Sequence, residues 1–186
     1  MSRLPGDDEI RTARLSLRRP TRTDIDAILR IHRDPRACAH NGSDAIRSRE
    51  EAAERFRGWD EHWERYGFGY WTIRRNGESR AEPLGFCGIK VMHLQGRSVL
   101  NLFYRLDPAA WGDGIATEAA AAVVAWAAAN LTGRPLIARV RPANAASLKV
   151  AARVGLRRAP ALDTTGEDGL DWVFATTWLP DDESRP

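Results

Sequence analysis

Helical spacing and short apolar runs take turns along this chain, and the changes between them mark its elements. Ala53, Phe56, Trp59 or Asp60, and Trp63 recur at the spacing of one helix face, which predicts a helix over Arg49 to Tyr66. Thr23 or Asp24 can cap an earlier helix running to about His32. Between the two, Pro35 to Ser48 reads as a loop, long enough to hint at function. Asn76-Gly77 marks a hairpin turn between strands. A third strand over about Pro83 to His93 turns through Gln95-Gly96-Arg97 into a fourth, which carries the apolar run Val99 to Leu106. An alanine-rich helical pattern follows. Leu136 to Val140 reads as a fifth strand, Asn144 to Val154 as a helix, and Leu170 to Trp178 as a last strand after a glycine-rich connection. An antiparallel meander followed by a strand–helix–strand crossover is the layout of an α+β or mixed-sheet domain.

Composition changes this picture little. The length suits one domain over 1–186, with a core of about 12–178 between charged, proline-bearing ends, Met1 to Ile10 and Asp181 to Pro186, that are expected to fray. The 28 basic and 25 acidic side chains leave a net charge of +3, so nothing here demands nucleic acid. Lys90 and Lys149 are the only lysines. An arginine bias serves phosphate recognition, and it is also what codon usage in a GC-rich genome produces. Cys38 and Cys87 have no metal-ligand spacing, so no metal is expected and reduced thiols are the simpler account. No apolar run is long enough to span a bilayer, and the N-terminus has no signal-peptide core, so the expectation is a cytoplasmic protein without membrane contact.

The chemistry concentrates in Trp111-Gly112-Asp113-Gly114-Ile115-Ala116-Thr117. Two glycines lie between an apolar run and a helical pattern, which predicts strand, turn and helix N-terminus in succession. The first amides of a helix lack intrahelical partners and sit at the positive end of its dipole, so such a turn can seat an anion. A flexible turn with no ligand fits the same residues. The segment lacks the lysine of a P-loop, and Thr117 stands where the third glycine of a dinucleotide fingerprint belongs.

It does resemble the acetyl-CoA pyrophosphate loop of the GNAT N-acetyltransferases, [QR]-x-x-G-x-[GA]: Gly114-Ile115-Ala116 matches the second half, and Trp111 stands where Gln or Arg is usual. W-G-x-G-x-A-T-E-A is similar to the branch holding the ribosomal-protein N-terminal acetyltransferases. Arg14-Leu15-Ser16-Leu17-Arg18 with Thr23-Asp24 resembles that branch's first strand and helix cap. Gly67 to Ile73 resembles its second strand, Pro83 to Gly88 its third, and Asn144-Ala145-Ala146-Ser147 through Val154-Gly155-Leu156 its N-x-x-S…G-F segment. The matches run in order over about 12–178. The resemblance implies an α+β GNAT fold: a mixed, mostly antiparallel sheet flanked by helices and splayed between strands four and five, where the pantetheine arm of acetyl-CoA enters.

The implied reaction is direct attack of a primary amine on the thioester, with acetyl-CoA as co-substrate. The resemblance places Leu102, Phe103 and Tyr104 along the pantetheine arm, and the loop Trp111 to Thr117, Asn144, Ser147 and Arg153 around the rest of the donor. Asn101 occupies the place where this branch often has Glu, and an amide cannot accept a proton. Glu118, Asp107 and His93 remain as candidate bases, each with an ordinary structural role open to it. The fifth-strand tyrosine of many relatives is absent from Ala143 to Ala146, whereas Ser147 stands where a serine in this branch has been assigned to the leaving thiol. Asp113 is a poor companion for a pyrophosphate, and Lys149 or Arg153 could reach the 3′-phosphate.

Magnitudes bear on the acceptor. Deprotonating a lysine at pH 7 costs roughly 4.6 kcal/mol and an α-amine about 1 kcal/mol, so a site without a strong base favours the N-terminal amine of a protein or peptide. A small-molecule amine (antibiotic, polyamine or amino acid) is the alternative, and a non-catalytic CoA-binding module a second one. The acceptor side is expected at Cys38 to Ser48 and the aromatic set Trp59, His62, Trp63, Tyr70 and Trp71, in a monomer or homodimer.

Overall fold

The computed structural model describes residues 9–77 and 82–176. Nine strands form one continuous arrangement: β1 (Glu9–Arg11), β2 (Leu15–Arg18), β3 (Tyr70–Arg75), β4 (Gly85–Leu94), β5 (Arg97–Leu106), β6 (Leu136–Val140), β7 (Arg157–Arg158), β8 (Thr164–Gly166) and β9 (Gly169–Ala175). Their order is β1-β2-β3-β4-β5-β6-β9-β7, with β8 paired to β9. Every pairing is antiparallel except β5 with β6. Among the described residues four α-helices flank the sheet: α1 (Ile25–Arg33), α2 (Arg49–Tyr66), α3 (Ile115–Asn130) and α4 (Ala145–Arg153). The expected fourth and fifth strands are thus β5 and β6, and the fold is the α+β mixed sheet that the resemblance implies.

Local chemistry sets the boundaries. Ser48 accepts a hydrogen bond from the Glu51 amide (3.2 Å) at the start of α2, and Gly67, left-handed at φ 78°, ends that helix. Gln95 and Gly96 both take positive φ, 48° and 78°, the pair a two-residue hairpin needs to match the strand twist. Asp24, one of the two expected caps, stands at the N-cap of α1, but its side chain closes a capping box with Thr21 around the 3-10 turn that precedes the helix. Asp24 is almost fully buried and also accepts from Thr72 Oγ1 (3.2 Å) and from Arg74.

Three expectations are corrected. Glu9 and Ile10 are part of edge strand β1, not a frayed end. Gly67 to Gly69 precede β3 rather than belonging to it, because Gly67 closes the helix. Two short strands, β7 and β8, lie where only a helix end and a connection were expected. The other expected frayed segments, 1–8 and 181–186, and Trp178 lie outside the described residues.

Strand alternation sorts the interior into two faces. Trp71, Ile73, Cys87, Ile89, Leu100 and Leu102 pack with Ala119, Ala120 and Val123 of α3. The intervening residues Tyr70, Phe86 and Phe103 pack with Ile28 and Ile31 of α1 and with Phe56 and Trp59 of α2. The cross-strand register pairs Lys90 with Asn101 and Phe86 with Arg105 on this second face. Each half of the functional cleft inherits one of these faces.

Candidate active site

The cleft exists because β5 and β6 stay together for only three residue pairs. Leu100, Asn101 and Leu102 face Leu136, Ile137 and Ala138; beyond them β5 continues against β4 to Leu106 and β6 against β9 to Val140. Main-chain groups of β5 after Leu102 therefore have no strand across from them on the β6 side. Into this wedge opens a cavity of about 950 Å³ that reaches from the loop after α1 to the loop before α3.

On the α3/α4 side the glycine turn behaves as its composition demands. Gly112 and Gly114 take φ of 91° and 74°, and Gly114 is the N-cap of α3. The first intrahelical bond runs from Glu118 N to Gly114 O (3.0 Å), so the amides of Ile115, Ala116 and Thr117 precede the ladder. Trp111, Gly112, Gly114, Ile115, Ala116 and Thr117 line the cavity. Asp113 does not: it turns outward to Arg75, 3.4 Å away with both side chains in solvent, which removes the expected conflict with a bound anion. These amides and the open edge of β5 suit a pyrophosphate followed by a pantetheine arm.

Leu102 and Tyr104 alternate onto this same side. Tyr104 Oη lies 2.7 Å from Ser147 Oγ and donates to the Ser147 carbonyl at 3.1 Å, linking β5 to the first turn of α4. Burial raises the Tyr104 phenol to about 12 despite the Ser147 hydrogen bond. Asn144 caps α4, its Oδ1 accepting from Ser147 N at 3.0 Å, and still lines the cavity. Arg153 lines it as well, whereas Lys149 is exposed and does not.

Phe103 lines the cavity too. Strand alternation turns its ring to the α1/α2 face, where it stacks on Tyr70 with centroids 4.6 Å apart, so only its backbone follows the donor side. Trp59 and Tyr70 line the cavity. Trp63 and Trp71 do not. Trp71 is one residue from Tyr70 and so points to the opposite face, where it packs edge-on with Trp63 (5.1 Å) and with Trp126 of α3 (5.3 Å). His62 is a strap: Nδ1 donates to Phe68 O (2.8 Å) and Nε2 accepts from Val91 N (3.1 Å).

The acceptor half is built by α2, β4, β5 and the loop after α1. Asn101 Oδ1 is buried with no hydrogen-bond partner among the described residues, and the side chain lines the cavity. Lys90 lies over the Tyr70 ring at 4.9 Å; burial first, then Arg55, lowers it to about 8. Arg105 donates to Asp44 Oδ2 (3.0 Å), and Arg55 reaches Asp44 Oδ1 at 3.5 Å. On the β6 side Arg141 lies 3.3 Å from Asp171, and Asp168 accepts from Ser43 N and Oγ at 2.9 and 2.5 Å, tying the loop to the β8–β9 hairpin.

None of the three candidate bases lines this space. Glu118 is held by Arg14 (2.6 Å) and Thr12 (2.5 Å), Asp107 caps a 3-10 turn and pairs with Arg30, and His93 is on an exposed strand position. Arg55, Lys90, Arg105 and Asp44 come from four segments, so nothing local in the sequence marks them as neighbours. For Lys90 and Asn101 the hairpin register would have shown it: counting outward from Gln95-Gly96 pairs them.

Residues 14–157 match the family model described as Acetyltransferase (GNAT) domain. The Bacillus subtilis (strain 168) protein YkkB, itself uncharacterized, is 31% identical over 101 residues; the match covers 53% of this chain and 56% of that protein, about half its length. Among solved structures, an acetyltransferase from Agrobacterium tumefaciens str. C58 is 26% identical, with a TM-score of 0.77 over 96% of this chain and 99% of that one. The ribosomal L7/L12 alpha-N-protein acetyltransferase RimL, solved with coenzyme A, shares the fold at 18% identity (TM-score 0.71, 90% and 96% covered). So does a spermidine N-acetyltransferase from Vibrio cholerae, solved with CoA and spermine, at 12% identity (TM-score 0.67, 88% and 95% covered). With a family model matched across most of its length, and a sheet that opens between β5 and β6 above the Gly112–Gly114 turn, this chain belongs to the GNAT acetyltransferase family.

Proposed function

We propose that the protein transfers acetyl from acetyl-CoA to the N-terminal α-amine of a protein or peptide by direct attack, without a covalent enzyme intermediate. Asn101 carries this reading. It stands at the narrow end of the wedge on the acceptor face, where its unpartnered Oδ1 can accept from an amine N–H but cannot take up the proton. Both lining carboxylates, Asp44 and Asp171, are engaged by arginines. A lysine acceptor would need roughly 4.6 kcal/mol to lose its proton at pH 7 and an α-amine about 1 kcal/mol, so a site with these groups is matched to the weaker base.

The donor half follows from the same geometry. The turn at Gly112–Gly114 and the first amides of α3 receive the pyrophosphate, and the open edge of β5 receives the pantetheine arm and offers an amide to the acetyl oxygen. Tyr104 and Ser147 approach from the α4 side as donors to the leaving sulfur. A phenol near 12 is too weak an acid to protonate a thiolate of pKa about 8.5 outright, so the pair stabilises the leaving group by hydrogen bonding, and the proton that the amine nitrogen sheds on forming the amide balances the one the sulfur takes up to leave as the free thiol. Leu102 and Val150 line the wedge with apolar side chains around it.

The test is regiochemical. A peptide with a free N-terminal serine and one internal lysine is incubated with acetyl-CoA and the product mapped by mass spectrometry. Acetyl on the α-amine supports the reading; acetyl on lysine, or turnover with diamines and none with peptides, contradicts it.

A further inference from the structure

The charges around the acceptor half of the cavity do not balance, and the imbalance is local. On the β6 side, Arg139 and Arg141 face Asp171 at 3.8 and 3.3 Å, with Asp168 3.8 Å from Arg141. At the loop, Arg36 is paired with Asp34 at 2.7 Å. On the inner wall, Arg55 of α2 and Arg105 of β5 pair with a single carboxylate, Asp44, and Lys90 of β4 lines the same cavity. Arg105 is almost fully buried, and Lys90 makes no ion pair among the described residues. Two arginines thus share one carboxylate and Lys90 pairs with none, in a site partly shut off from water, where each lost hydration shell has to be replaced.

Neighbouring groups register the excess. The fields of Arg105 and Arg55 add to burial in driving His32 down to about 3, and Arg55 acts on Lys90 in the same sense. Two further acids, the exposed Glu51 and Glu54, line a second crevice of about 380 Å³ that shares Arg55, Trp59 and Lys90 with the cavity. Among the described residues neither forms an ion pair with Arg55 or Lys90; Glu51 accepts from the Arg47 amide instead.

We propose that the amine acceptor carries an anionic group, a carboxylate or a phosphate, that seats against Arg55, Arg105 and Lys90 while its amine lies at Asn101. This rests on the acetyl-transfer reading and specifies its substrate class: an acidic side chain close to the N-terminus, and not a polycation. Arginine forks match carboxylate and phosphate oxygens in pairs, and the Lys90 ammonium adds a point charge. A polyamine in the same place would meet three like charges with one carboxylate to offset them.

Peptides identical but for the second residue (Asp, phosphoserine, Asn or Lys) separate the cases, with spermine as a further acceptor. Acidic peptides are expected to exceed the Asn peptide by about tenfold in kcat/KM, the worth of a charge-assisted hydrogen bond, and the Asp and phosphoserine arms tell which anion is preferred. Arg55→Gln and Lys90→Met should each shrink that ratio, and melting curves followed by circular dichroism check that both variants fold. A second readout does not need turnover: calorimetry of CoA-loaded protein with the N-acetylated Asp and Asn peptides should show the same order. Equal rates and equal binding across the series, or preference for the Lys peptide or spermine, overturn the inference and leave the acetyl-transfer reading standing. Acidic product peptides that bind while no amine is ever acetylated would instead sink the transfer reading alone.

Discussion

Tyr104 Oη and Ser147 Oγ lie 2.7 Å apart, closing the α4 side of the wedge with a hydroxyl pair drawn from a strand and a helix 43 residues apart. Each orients the other, and Asn144 fixes Ser147 through its backbone amide. Substituting either hydroxyl removes the same donor arrangement, so their effects are coupled. Tyr104→Phe and Ser147→Ala should each lower kcat by about tenfold, the double variant by little more, with KM for the amine unchanged. Additive losses, measured as a full kinetic cycle, would show the two acting separately.

Gly114 is the other fixed point of the donor half. A Cβ there would meet only the tip of Arg14 at 3.8 Å, so space is not the obstacle; the φ of 74° is. Forcing an L side chain into that region costs about 1–2 kcal/mol. Gly114→Val should lower stability by about that much and also lose the thermal stabilisation that acetyl-CoA gives the wild type. A variant that melts early yet is stabilised normally by acetyl-CoA would show the turn to be structural only.

Asp24 holds α1 to β3. Its buried carboxylate accepts from Thr21 N, Thr72 Oγ1 and Arg74. Asp24→Ala leaves those donors in place with no acceptor and should destabilise by about 3–5 kcal/mol in urea titration; Asp24→Asn, which keeps an acceptor oxygen, should cost less.

His32 is fully buried against Phe103 (centroids 6.4 Å apart, near-parallel) and donates through Nδ1 to the Ile28 carbonyl at 2.9 Å. Burial lowers it from 6.5 to about 3. Between those values the unfolded chain binds a proton that the folded one refuses, so stability falls as pH drops below about 6.5 and continues to fall toward 3. The loss from this group between pH 7.5 and 5 should be about 2 kcal/mol. His62 is shifted the same way, so the informative comparison is His32→Asn against wild type. The slope should flatten in the variant; an unchanged slope would place the acid sensitivity elsewhere.

How much of this was legible in the sequence depends on how far apart the cooperating residues are. Arg49 to Tyr66 shows its apolar stripe within one segment, and the structure has the helix with those bounds. The Gly112–Gly114 turn likewise announces itself, because positive φ and a helix start are local needs. Trp71 lies away from the cavity because one position along a strand decides the face, and Trp63 of α2 follows it, packing edge-on against Trp71 and donating to the Tyr70 carbonyl. Strand β7 has two residues, both arginine, and no pattern to read. The cation cluster was hidden in a general arginine bias, and it takes the register of β4 with β5 to set Arg105 and Lys90 on one face beside Arg55.

The most direct test of the central claim is the release of free CoA thiol from acetyl-CoA, followed continuously in the presence and absence of a peptide with a free N-terminus. The account predicts thiol release that depends on the peptide, saturates with it, and stops when its α-amine is blocked. Tight binding of acetyl-CoA with no amine-dependent thiol release, across peptides and small amines alike, would contradict it and leave a protein that binds the donor without using it.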